Sequence, residues 1–236
     1  MSSVSFLADV HVHNHRRFGG VPDAGINKRC REVLDVLKAA CIVSKRQGDD
    51  ALVILGDLFD TANPTPQVVR GVMDCLNEGP ETYILVGNHD QVSTKAADHA
   101  IAPLTYLDNV HVVEEAGVHY AGEIPLLIVP FQPGRASTWL PTVVADVIKP
   151  PDSVLCIHLG VMSGDVPVYL KDCHDAVHVD LLDLLSQQHE LGAVFAGNWH
   201  NHESWKLTGD VPVVQAGALV PTGFDNLGGS EYYGSM

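Results

Sequence analysis

The feature that most constrains this chain is a join that recurs along it. A short, continuously apolar run breaks off, and Asp, Asn or His follows at once. The join occurs in VSFLADVHVHNH (4–15), ALVILGDLFD (51–60), TYILVGNHD (82–90), SVLCIH (153–158) and AVFAGNWHNH (193–202). A run without polar alternation reads as a strand buried on both faces. Strands are therefore predicted at Val4–Val10, Ala51–Leu55 and Thr82–Val86. Between them, Ile26, Cys30, Val33, Leu34, Leu37 and Cys41 fall at helical spacing, as do Val68, Val69, Val72, Met73 and Leu76, with Pro66 in the first turn of the second helix. Strand–helix–strand–helix–strand predicts a sheet covered on both sides. Beyond residue 103, VHVV, PLLIV, SVLCI, AVFAG, ESWKL and VPVVQ read as short strands. Helices are expected over Ala136–Ile148 and around Leu181–Leu185. The expectation is one α/β domain over residues 1–236, with a frayed Gly- and Ser-containing tail at 228–236.

Composition narrows the function classes. With 46% hydrophobic and 18% charged residues, the chain is neither disordered nor fibrous. No apolar run is long enough to cross a bilayer, and the start lacks a signal-peptide pattern. The five cysteines, Cys30, Cys41, Cys75, Cys156 and Cys173, are widely spaced and form no C-x-x-C. They read as reduced thiols of a cytoplasmic protein. Lys plus Arg number 14 against 29 Asp plus Glu, a formal charge of −15. That argues against a broad basic surface for nucleic acid, so an anionic substrate would need a local positive centre. The 13 histidines suggest its source, since imidazole and carboxylate together hold divalent metals.

The polar clusters fit that purpose. Asp9 and His11 lie two apart at the end of the first run; on extended chain both would point to one side. Asp57 and Asp60 follow Gly56, and Asn88, His89 and Asp90 follow Gly87. His158 ends the fourth run, and His200 and His202 again lie two apart. Each piece alone is weak. Together, at the strand ends where open α/β sheets place ligands, they can hold two divalent ions around one shared carboxylate.

The series D-x-H, G-D-x-x-D, G-N-H-D, a later single His and a terminal H-x-H resembles the calcineurin-like metallophosphoesterases, from Asp9 to His202. Within them, GDLFDTANPTP (56–66) and VGNHDQVST (86–94) are most similar to the SbcD-type nucleases of the SbcCD complex. The resemblance implies a four-layer α-β-β-α sandwich of two mixed sheets with the dinuclear site at the strand ends. It implies Asp9, His11, Asp57 and His202 on one metal, and Asp57, Asn88, His158 and His200 on the other. His89 would protonate the leaving oxygen, and Asp60 would orient and charge-stabilise His89. The implied reaction is in-line attack on phosphorus by a metal-bridging hydroxide. Oxygen and imidazole donors without thiolate suit manganese first, with iron, zinc or magnesium as alternatives.

Departures from that pattern shape the expected function. Trp199 stands where the family usually has glycine before its last H-x-H. Only 34 residues follow His202, which leaves no room for a capping domain or for the segment that docks an SbcC-like ATPase partner. The leading expectation is an SbcD-like DNA nuclease; the alternative is a phosphodiesterase or phosphatase acting on cyclic nucleotides or dinucleotides. A Ser/Thr phosphatase is disfavoured because Thr61-Ala62 and Val86 stand where those enzymes carry arginine. A purely metal-binding protein would not need His89. His13, Arg16, Arg17 and Arg135 are candidate substrate contacts, and Tyr106, Trp139 and Trp205 are expected to pack in the core or a groove.

Overall fold

The computed structural model describes residues 2–15, 20, 23–93, 98–164 and 174–221. The first half runs β1 (Val4–Leu7), α1 (Lys28–Gln47), β2 (Ala51–Ile54), α2 (Pro66–Leu76), β3 (Thr82–Leu85) and β4 (Val110–Val113). The second runs β5 (Gly117–Ala121), β6 (Ile124–Val129), α3 (Ala136–Asp146), β7 (Ser153–Ile157), β8 (Gly160–Met162), β9 (Ala176–His178), α4 (Val179–His189), β10 (Leu191–Ala196), β11 (Glu203–Lys206) and β12 (Pro212–Gln215). The strands form a four-stranded sheet, β1-β2-β3-β4, a six-stranded sheet, β11-β12-β10-β7-β6-β5, and the small pair β8-β9.

Two-sided burial of the apolar runs produces the layers. On β2, Leu52 and Ile54 face a core shared with Leu37 and Cys41 of α1 and Val68, Val72 and Leu76 of α2. Their neighbours Ala51 and Val53 face the opposite way, into a core shared with Leu126 and Ile128 of β6 and Cys156 of β7. In the second sheet, Leu127, Val129, Leu155 and Ile157 turn outward onto Leu140 and Val144 of α3 and Leu182 and Leu185 of α4. The result is helix, sheet, sheet, helix, with three apolar layers. Phe6 of β1 and Phe195 of β10 stack across the middle layer, ring centroids 3.7 Å apart.

Local signals set the helix ends. Asn27 caps α1 by accepting from the Cys30 amide, and Gly48 closes it in the left-handed region. Pro66 opens α2. The His178 imidazole accepts from the Asp180 amide and caps α4.

The layer order agrees with expectation, but one detail differs. The four-stranded sheet is parallel throughout rather than mixed. The six-stranded sheet is mixed, with antiparallel pairs only at its edges, β11–β12 and β5–β6. β1 ends at Leu7, short of Val10, and β5, β8 and β9 were not anticipated. GVHYA of β5 carries too little continuous apolar character, and β8 and β9 are three residues each. Tyr106 is 86% exposed and packs in no core. The tail at 228–236 lies outside the described residues.

Ile128 is fully buried between the sheets. Ile128→Ala is expected to destabilise the protein by about 2–5 kcal/mol through the cavity it leaves, read as a shift in the denaturant midpoint with unchanged slope.

Candidate metal centre and catalytic site

The site gathers at the C-terminal ends of β1, β2, β3, β7 and β10, where the two sheets come together. Its first two loops are laid side by side. The amides of Asp9, His11 and Val12 donate to the carbonyls of Gly56, Asp57 and Leu58 at 3.3, 3.0 and 2.9 Å. Asp9, His11 and Asp57 all have φ near +50°, a left-handed conformation that few non-glycine residues adopt without local support. Extended geometry therefore does not bring Asp9 and His11 together, contrary to the spacing argument. The strand stops early and the loop twists, and the twist still places His11 Nε2 3.9 Å from Asp9 Oδ1 and 3.8 Å from Asp57 Oδ2.

The third loop is locked onto the second by a residue given no role from sequence. Asp90 is fully buried and accepts from the amides of Phe59 and Gly87, both at 3.1 Å. The His89 amide donates to Asp57 Oδ1 at 2.9 Å. Glycine at 87 is a packing requirement, since a Cβ there would run into Asp57. Gly56, at φ +87°, leaves room for the His158 ring. A second overlooked residue is Asn198, whose amide donates to both carboxylate oxygens of Asp9, at 3.1 and 2.9 Å.

The second sheet supplies imidazoles whose orientation is fixed from behind. His158 Nδ1 donates to the Leu55 carbonyl at 2.6 Å, which leaves Nε2 as the lone-pair nitrogen of the neutral ring. That nitrogen faces two oxygens, Asn88 Oδ1 at 2.8 Å and Asp57 Oδ2 at 3.3 Å. His202 Nδ1 likewise donates to the Ala216 carbonyl at 3.1 Å. His11 Nε2 and His200 Nε2 are 3.1 Å apart. Lone pairs converging in a buried space need a proton or a cation between them, so the donor set fits divalent metal. Asp9, Asp57 and His158 bring ligand atoms within 4.8 Å of one another, as do Asp9, His11 and His200.

His200 groups with Asp9 and His11, and among the described residues His202 is in none of these groups. Just before His200, the Trp199 ring packs onto Gly160, and Asn198 takes a left-handed φ of +83°.

Protons show the same competition. Burial alone would lower the pKa of His158, but Asp57, by charge and hydrogen bond, and then Asp9 raise it to about 9. Asp57 feels burial upward and His158, His11 and His89 downward, ending at about 2. Burial pushes Asp9 up to about 6, and burial with the Asp57 charge pushes Asp90 to about 7.

His89 stands apart from the buried set, its side chain 43% exposed. Its Nδ1 donates to the Asp60 backbone carbonyl at 3.0 Å, while the Asp60 carboxylate is 3.8 Å away. Asp60 thus meets His89 through its main-chain carbonyl, with its carboxylate at ion-pair distance. That carboxylate is shared among His11, His13 and His15. Arg135 is exposed at the start of α3, and Arg16 and Arg17 lie outside the described residues.

Residues 3–223 match the profile of the calcineurin-like phosphoesterases, and the chain belongs to that family. It is therefore a hydrolytic phosphoesterase of a class that works with two metal ions. Among solved structures it resembles TT1561 of Thermus thermophilus (TM-score 0.58, 12% identity, 92% of this chain and 89% of that one). It also resembles a dimetal phosphatase from Danio rerio (TM-score 0.57, 12% identity, 93% and 88%). The purple acid phosphatase PPD1 of yellow lupin matches over 92% of this chain but 44% of its own (TM-score 0.57, 14% identity). At such identities these likenesses establish the fold. A protein of Invertebrate iridescent virus 3, named "Putative phosphoesterase 078R", is 32% identical over 95 residues. The match covers 36% of this chain and only 27% of that protein's length.

The stability of the metal-free protein should follow the His158 proton. Its folded pKa, about 9, lies above the ordinary 6.5. That contribution is fully present below pH 6.5 and is lost as pH rises through 9. The Asp57 contribution has the opposite sense and is lost as pH falls from 3.8 toward 2. The thermal midpoint of chelator-treated protein is expected to fall between pH 6.5 and 9, and saturating divalent metal should flatten that fall by taking the proton's place. A metal-free midpoint level across this window would refute the assignment.

Proposed function

We propose that the chain is a dinuclear-metal phosphodiesterase that cleaves DNA in the manner of SbcD-type nucleases. The observation that carries the hydrolytic part is the convergence of Asp9, His11, Asp57, Asn88, His158 and His200 on one buried point beneath an exposed His89. Asp57 lies between the two groups, within reach of both His11 Nε2 and His158 Nε2, and is the carboxylate suited to bridge. His202, oriented by Ala216, completes the set. Two divalent ions, manganese in the first instance, supply Lewis acidity and an activated water nucleophile when bound.

The chain's own groups do the rest. The carbonyls of Leu55 and Ala216 hold His158 and His202 in the tautomer that presents Nε2. His89 uses Nδ1 on the Asp60 carbonyl, which leaves the Nε2 proton of its imidazolium for substrate. As water adds to phosphorus and the opposite P–O bond breaks, His89 Nε2 gives its proton to the departing oxygen. Arg135 follows a loop tied to the site by the Phe131 amide on the Val86 carbonyl at 2.9 Å, and it is a candidate contact for a substrate phosphate.

The DNA part of the reading rests on the wording of GDLFDTANPTP and VGNHDQVST. An SbcC-like ATPase is the partner that would supply a DNA-binding surface. The free, buried thiols of Cys30, Cys41, Cys75 and Cys156 suit a cytoplasmic setting. The charge of −15 favours a second reading, a phosphodiesterase for cyclic nucleotides or dinucleotides, which needs no extended basic face.

Manganese-dependent cleavage of end-labelled single- and double-stranded DNA separates the two. Cleavage that disappears in Asp57→Asn, with the fold retained by circular dichroism, is the expected result. An intact preparation that hydrolyses an activated phosphodiester but leaves DNA whole would sink the nuclease reading. For the proton donor, His89→Gln should retain metal and lose about 10²–10⁴ in rate. The loss should shrink with a leaving group that needs no protonation; an equal loss with every leaving group would count against the role.

A further inference from the structure

We propose that His13, His15 and Asp60 form a third divalent-cation site, of the zinc class, beside the paired one. The observation is how Asp60 divides its two oxygens. Oδ1 turns to the catalytic side, 3.3 Å from His11 Nδ1 and 3.8 Å from His89 Nδ1. Oδ2 turns the other way, 3.7 Å from His13 Nδ1 and 3.9 Å from His15 Nε2. The three donors lie within 4.8 Å of one another. Tetrahedral zinc, with ligands at about 2.0–2.2 Å, sets neighbouring donors about 3.4 Å apart. An ion therefore needs to draw the His13 nitrogen toward Asp60 by about 0.3 Å and the His15 nitrogen by about 0.5 Å, a small rotamer adjustment.

The chain that presents these rings is held from behind. The Asn14 side chain, between the two histidines, donates to the Gly25 carbonyl at 2.7 Å and accepts from the Asn27 amide at 2.9 Å. Asn27 Nδ2 in turn donates to the His15 carbonyl at 2.8 Å, while Asn27 Oδ1 accepts from the Cys30 amide to cap α1. Both histidines are thus anchored to the start of a twenty-residue helix, the kind of rigid support that a metal site requires. The rings do not stack on each other; their planes are tilted by 49° with centroids 4.1 Å apart.

The donor set decides the class of ion. Two imidazoles and one carboxylate without thiolate select zinc and its transition-metal neighbours over calcium or magnesium. Three protein ligands leave a fourth position open, and here it faces solvent, since the His13 and Asp60 side chains are 30% exposed and His15 is 49% exposed. The site uses none of Asp9, Asp57, Asn88, His158, His200 or His202. It depends on the paired-metal reading only in being counted as third.

Bound zinc per chain settles the matter. The full chain, stripped with chelator, is dialysed against buffered free zinc, and the bound metal is counted by elemental mass spectrometry at equilibrium. Three ions are expected for the wild type, two for His13→Ala/His15→Ala and one for Asp57→Asn. His15→Ala alone changes an exposed side chain and leaves the core untouched; it should weaken one ion by at least about 10–100-fold, the loss that even an outer partner of a metal ligand brings. Equal zinc in the wild type and the double variant, both folded by circular dichroism, overturns the proposal. If the double variant loses an ion while Asp57→Asn loses none, the third site stands and the paired-metal reading fails.

Discussion

The structure depends on the seam between the first two loops, where three backbone hydrogen bonds lay residues 9–12 along residues 56–58. Such contacts normally belong to the interior of a sheet. Here they continue beyond the ends of β1 and β2, into chain that has already left strand geometry. Asp9, His11 and Asp57 all sit at positive φ, and each such residue carries strain of order 1–3 kcal/mol. The seam holds that strain in place. Asp90 secures the third loop to the same seam, and Asn198 secures the returning chain by donating twice to Asp9.

This arrangement resolves the conflict between an acidic protein and an anionic substrate. Two carboxylates and two imidazoles are withdrawn almost completely from water, in a space where their lone pairs oppose one another. Raised pKa values at Asp9, Asp90 and His158 express that conflict in protons. Divalent cations express its resolution, and they concentrate positive charge at one point of a surface that otherwise repels phosphate. His89 belongs to the same field but stays at the surface, facing the Asp57 and Asp60 carboxylates on one side and solvent on the other.

Much of this was legible in sequence because burial on both faces leaves a plain trace. ALVIL and SVLCI could be read as interior strands, and their polar sequels as strand-end ligands, without knowing how the strands pair. The start of α2 followed from Pro66, whereas Asn27 and Gly48, which bound α1, were not read from the sequence. Backbone conformation was not legible: D-x-H reads as extended chain, whereas Asp9 and His11 are left-handed. Hydrogen-bond partners were equally hidden. Nothing in G-D-x-x-D distinguishes the carboxylate of Asp60 from its carbonyl, yet the carbonyl takes the His89 proton donor. Nor does the H-x-H spacing reveal that His200 Nε2 comes within 3.1 Å of His11 Nε2. The roles of Asp90 and Asn198 lay in amides distant in sequence, beyond the reach of any local pattern.

The split of the site between the sheets also bears on how the molecule is made. Asp9, Asp57 and Asn88 come from the parallel sheet, and His158, His200 and His202 from the mixed one, more than sixty residues further along. Each sheet has its own helices and its own outer apolar layer, and the two share the middle one. Neither carries enough donors to assemble the reactive centre alone. The full donor set exists only where the halves are closed, with Phe6 stacked on Phe195 across the middle layer. The reactive centre therefore depends on the contact between the two sheets as much as on either sheet itself.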